Sequence, residues 1–205
     1  SWAAPEPPAD MRWGFVFAGL LVFGAWKYAH ERPADPGPGQ VAPDDPRQTE
    51  PGRRIVLEKK RYALEPLARF AIEARVLRKE IYRADREADL APVDLALGWG
   101  PMSDSAVLDK IGISQGNRFY YWTVREFPIP ERDIVEHSAN MHLIPADAAV
   151  EKRLREVRPG QVVDLSGYLV EASSKDGWRW RSSLTRSDTG FGSCELVWVE
   201  SVSVR

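Results

Sequence analysis

Cysteine and histidine are scarce in this chain: Cys194 is alone, and there are 3 histidines among 205 residues. A single cysteine excludes an internal disulfide and a multi-cysteine zinc site, although it leaves the redox compartment open. A net excess of charge of either sign is also lacking. The formal net charge is −2, divided as about −3 up to Gly52 and about +1 beyond it. Phosphate backbones are held by clustered, uncompensated Lys and Arg, so nucleic acid is not an expected partner. At 43% hydrophobic content the chain has enough apolar surface for one core, which implies one globular unit with appendages.

Long apolar runs are absent except for one. WGFVFAGLLVFGAW, residues 13 to 26, carries no charge, and with Lys27 snorkelling it extends through Tyr28 and Ala29. No A-x-A cleavage pattern follows, so residues 11–30 are expected to be an uncleaved transmembrane signal anchor, with Trp13, Trp26 and Tyr28 at the interfaces. Arg12 on one side faces Lys27 and Arg32 on the other, so loop charge alone does not favour export. Met11-Arg12 ahead of an apolar run is nevertheless the export pattern. The expectation is a membrane-anchored protein with its C-terminal domain exported. The next stretch, residues 31–54, has six prolines and almost no large apolar side chain. It is expected to be a disordered linker, reaching about 70 Å if extended at about 3.1 Å per residue.

From residue 55 the pattern is that of strands. Phe70, Ile72, Ala74 and Val76 alternate with Ala71, Glu73 and Arg75, predicting a strand over 67–78. Further strands are predicted at 118–127, 134–144, 161–172, 178–185 and 195–204. Two short helices interrupt them, one capped by Ser103 or Asp104 and one capped by Asp147 and stopped at Pro159-Gly160. The expected fold for residues 55–205 is therefore mainly β, a small closed barrel of the OB type or a β-sandwich, with two short helices.

HSANMHLIPA, residues 137 to 146, gathers two of the histidines beside a serine and an asparagine. In a strand His137 shares the apolar face of Ala139 and Met141, whereas His142 shares the polar face of Ser138 and Asn140. The pair points opposite ways and cannot grip one ion, so no metal is expected. No cofactor is expected either, because Gly98-Trp99-Gly100 lacks the strand-to-helix setting of a dinucleotide loop. Asp94 is expected to form a turn near Pro92, and Asp104 to cap a helix. Cys194 opens the last strand with Glu195 beside it, a setting that works against a thiolate. No catalytic residue is assigned; His142, Asn140, Cys194 and Asp94 are the candidates for an acyl-transfer or hydrolytic site.

A stronger signal lies in Trp178-Arg179-Trp180-Arg181, where a strand would turn the rings one way and the guanidinium groups the other. With 8 tryptophans in the chain, Trp178, Trp180 and Trp198, joined by Arg179, Arg181 and Arg186, are the expected ligand-binding surface. The expected function is a membrane-anchored envelope binding or assembly module that presents this surface to a protein or glycan partner. A small envelope hydrolase or acyl transferase is the alternative.

The segments LAPVDLALGWGPMSD, SANMHLIPA, GWRWRSSLTRSDTG and CELVWVESV resemble a group of uncharacterised bacterial single-pass envelope proteins with a β-rich C-terminal region. The resemblance covers most of residues 68–205 and implies a bacterial accessory protein, with no activity, cofactor or catalytic residue attached. The small-residue turn before Cys194 also resembles that of bacterial L,D-transpeptidases. This chain, however, has Ser193-Cys194-Glu195 where that family has Gly-Cys and a basic residue, and no upstream His-Gly element, so no role is carried over.

Overall fold

The structure, a computed structural model, describes residue 24 and residues 33–52, 57–185 and 194–205. Apart from Gly24, the expected anchor at 11–30 lies outside the described residues, as does Arg186. Among the described residues no helix is long and apolar enough to cross a membrane. The chain divides into two units, residues 1–33 and 34–205, and everything below concerns the second.

This unit is mainly β. Its strands are β1 (Arg47–Thr49), β2 (Leu57–Lys59), β3 (Tyr62–Ile81), β4 (Val93–Gly98), β5 (Ile111–Gly116), β6 (Phe119–Val124), β7 (Ser138–Pro145), β8 (Val162–Ser174), β9 (Arg179–Arg181) and β10 (Glu195–Val204). Three short helices accompany them among the described residues: α1 (Ser105–Leu108), α2 (Glu131–Glu136) and α3 (Ala148–Glu156). β5 and β6 form a separate hairpin, and the other eight strands make one sheet.

The long strand β3 organises that sheet. From Tyr62 to Arg75 it pairs antiparallel with β8, and from Arg75 to Ile81 with β4 on its other edge. β4 then pairs with β7, β7 runs parallel to β10, and β10 returns antiparallel to β8. The pairings thus run in a ring. Register shifts at Pro66/Ala68 and Val76/Arg78 bend β3 enough to serve two partners. Pro66, with no amide proton to give the ladder, sits at the first of these breaks.

Period-two side chains fill the ring. Phe70, Ile72, Ala74 and Val76 meet Leu95 and Leu97, Met141 and Leu143, Leu165 and Leu169, and Val197 and Val199 in one buried cluster. Val150, Leu154 and Val157 of the α3 segment join the same cluster, so the helix closes the core with one apolar stripe. Its start is fixed by the Asp147 carboxylate, which accepts from the Val150 amide at 2.8 Å. At its other end Lys79 donates to the carbonyls of Arg155 and Val157, adding a cation where the helix dipole is negative.

Several expectations are corrected here. Residues 131–136 form α2 instead of the start of a strand, because Pro130 at the cap and two acids in the first turn favour a helix. β4 was not foreseen: all six of its residues are buried, so it shows no polar-apolar alternation. β9 is only three residues long. The described part of the Pro-rich segment, 34–52, belongs to the same unit as the sheet. The Ala34 amide donates to Pro159 O at 2.8 Å, Gly100 donates to Ala42 O at 2.8 Å, and β1 pairs with β3. Ala42 is fully buried. Hydrogen bonds to an existing sheet order a segment that cannot build a core of its own.

Gly167 lies where β8 meets β10, opposite the shift between Val199 and Ser201. A Cβ there would stand 1.8 Å from the Trp198 carbonyl oxygen. Gly167→Ala is therefore expected to cost on the order of 3 kcal/mol, read as a lower urea midpoint with an unchanged slope.

Candidate functional site

The outer faces of β4 and β7 carry the site. Valine and leucine of β4 point into the ring, so Asp94 points out; on β7 Met141 and Leu143 point in, so Asn140 and His142 point out. Register sets Asp94 opposite His142 and Ala96 opposite Asn140. The Asp94 Oδ2 to His142 Nδ1 distance is 2.9 Å. Sequence reasoning made Asp94 a turn former. It is instead a fully buried strand residue, and His142 is 3% exposed.

A buried carboxylate needs a counter-charge, and the β5–β6 hairpin delivers it. Asn117 and Arg118 at its tip have φ of 52° and 69°, the positive values of a primed hairpin turn. Arg118 Nη1 donates to Asp94 Oδ1 at 3.0 Å and to Ala91 O at 2.9 Å, while Nη2 reaches Asp85 Oδ1 at 2.8 Å. Its guanidinium lies 3.7 Å from the centre of the Tyr82 ring, and its amide donates to the Tyr82 hydroxyl at 2.9 Å. Asn140 Nδ2 donates to the Arg118 carbonyl at 2.9 Å and Gln115 Nε2 to Asn140 Oδ1 at 2.6 Å. Cys194 Sγ is 4.0 Å from that same carbonyl. Of the four catalytic candidates, Asp94 and His142 are in direct contact, and Asn140 and Cys194 meet at Arg118.

His142 is overlaid by rings. Its centroid is 4.7 Å from Trp180, Trp180 is 6.1 Å from Trp178, and Trp178 is 5.2 Å from Tyr62. Arg86 stands 4.8 Å over Trp178 and Arg118 5.9 Å from Trp180. Both tryptophans are half-buried. Arg179 and Arg181 are exposed on the other side and both bond Glu171, Arg179 at 2.9 Å. Trp198 differs from its expected role: it is 8% exposed, packed among Leu196, Ile144 and Val170, and has little surface left for a ligand.

His137 caps the end of α2, with Nδ1 2.9 Å from the Asp133 carbonyl. It therefore precedes β7 and shares no face with His142. Asp104 caps α1 as expected, accepting from the Ala106 amide at 2.8 Å. Among the described residues no group of three His, Cys, Asp or Glu side chains is placed to hold a metal.

Arg118, Asp85, Tyr82 and Gln115 were not singled out from the sequence. Gly116-Asn117 between two aromatic-rich and β-branched runs was the available signal, because it marks a hairpin whose tip residue is carried inward. No family model, curated protein or solved structure matches the chain.

Asp94→Ala leaves Arg118 without its buried partner and is expected to destabilise by about 3 kcal/mol. Asp85→Ala removes an exposed ion pair and the bond that its carboxylate accepts from the Ala88 amide, and is expected to cost about 1 kcal/mol. Urea unfolding of the two variants checks the contrast. A separate prediction concerns Asp176, whose carboxyl Arg86 holds well below its usual range, helped by the Ser174 hydroxyl and the Trp178 amide. Its contribution is present above the unfolded value of about 3.9 and is lost only as pH falls through the lower folded value. The Asp176 carboxyl carbon shift should stay flat down to about pH 3.

Proposed function

We propose that this domain is an OB-type barrel serving as a binding module. In this reading segment 11–30 anchors it in the bacterial inner membrane, and its ring-and-guanidinium surface takes an envelope protein or glycan in the periplasm. The strand ring, with α3 plugging one end between β7 and β8, supports the barrel assignment. In such barrels the face of the second and third strands, with the loops around it, takes the ligand. Here those strands are β4 and β7, and the rings of Trp178 and Trp180 sit at their outer side.

One observation carries the proposal: His142 is closed off beneath Trp180, and Asp94, buried beside it, is already paired with Arg118. Polar groups engaged inward support a surface above them, and the half-exposed rings are what remains for a partner to stack on. The test is capture of envelope partners and glycans by the full anchored chain against a Trp178→Ala, Trp180→Ala variant that keeps its far-ultraviolet spectrum. Loss of the captured species is expected; an unchanged set refutes the reading.

The 2.9 Å Asp94–His142 contact also favours a second reading, a hydrolase or acyl transferase using His142, Asn140 and Cys194, since an oriented imidazole is what a thiol nucleophile requires. The pH profile of Cys194 alkylation decides between them. A thiolate-like profile that His142→Gln abolishes supports the enzyme, and an ordinary thiol profile in both proteins supports the binding module.

A further inference from the structure

A second feature involves none of the tryptophans above. The β2–β3 turn, the segment after β3 and the exposed side of α3 enclose a cavity of about 250 Å³. Lys59, Lys60, Arg83 and Arg155 line it, against the carboxylates of Asp89 and Glu151. Both carboxylates are taken: Asp89 Oδ1 lies 3.1 Å from Lys60 Nζ, and Glu151 Oε1 lies 2.7 Å from Arg155 Nη2. Among the described residues, Lys59 and Arg83 are left with no carboxylate within ion-pair distance.

Lys59 is half-buried, and its ammonium donates to a neutral acceptor, the Pro145 carbonyl. Burial pulls its pKa below the ordinary lysine value, and Lys60 adds to this against the pull of Glu151 and Asp147. A partly desolvated cation beside another cation, with no carboxylate in ion-pair contact, is stabilised further by an added anion. Two positive charges without a carboxylate partner match a phosphate group, which carries about −1.5 to −2 at neutral pH. Ala88 and Pro92 add apolar wall for the carbon skeleton that such a group would bring.

We propose that this cavity is a phosphate-binding site, with Lys59 and Arg83 as its principal ligands and Lys60 and Arg155 completing its rim. The phosphate belongs to a phosphorylated small molecule or to a lipid headgroup. Neither Trp178 nor Trp180 lines the site.

The probe is inorganic phosphate, added to the full chain in detergent micelles and followed by calorimetry and by the Cε resonance of Lys59. Phosphate is expected to bind and to move the Lys59 titration upward. Lys59→Gln and Arg83→Gln are each expected to weaken binding about tenfold. Arg83 is exposed, so its variant carries the test should Lys59→Gln fail to fold. Glycerol 3-phosphate and bicelles containing phosphatidate, against phosphatidylcholine alone, then separate the sources. A response to phosphatidate exceeding that to glycerol 3-phosphate assigns a lipid headgroup, and the reverse assigns a soluble ligand. A Lys59 resonance indifferent to phosphate in the folded wild type, or an Arg83→Gln variant that binds as the wild type does, overturns the proposal.

Discussion

The pairing of Asp94 with Arg118 is the contact on which the outer half of this molecule depends. A carboxylate on the outside of a strand would ordinarily face water. Here it is covered, and the covering is possible because the hairpin inserted between β4 and β7 returns a guanidinium to it. Removing one member of such a pair strands the other in a low-dielectric setting, whereas an apolar pair of similar volume could have filled the space at less risk. The ionic solution fixes the position of the hairpin tip, and through the Arg118 carbonyl it fixes Asn140 as well. His142, Tyr82 and Trp180 are then stacked around a framework that is already in place.

Beneath this layer the interior obeys simpler rules. Alternation along each strand supplies the apolar fill, and three shifts of register give β3 and β10 their curvature. The two layers share strands: Val93, Leu95, Leu97, Met141 and Leu143 face the main core, while the other face carries Asp94, Asn140 and His142 beside Ala96 and Ile144, which join two smaller apolar clusters.

Parity is also what made part of the structure legible in advance. The alternation at Phe70 to Val76, the opposed faces of His142 and Met141, and the helix capped by Asp147 could all be read from local pattern. β4 could not, since Val93 to Gly98 is covered on both faces and offers no contrast between neighbours. Nor could the partnership of Asp94, His142 and Arg118, which joins residues 24 and 48 positions apart through a register that only the assembled sheet defines. Composition misjudged residues 34–52 for a related reason: their order comes from edges and carbonyls offered by distant parts of the chain. Trp198 has little open surface because parity turned it to the outer side of β10, where it packs with Leu196, Ile144 and Val170 and lies under Lys59.

The closure of the ring has a kinetic consequence. β3 emerges early in the chain, yet its longest partner is β8, and Tyr62 must wait for Ser174. Loop-closure entropy has to be spent before that ladder returns anything, so folding belongs to the slow, non-local regime of milliseconds to seconds. Until β8 arrives, a twenty-residue strand presents bare amides and carbonyls to whatever passes. A nascent chain of this design has reason to meet a chaperone before it meets its own second half.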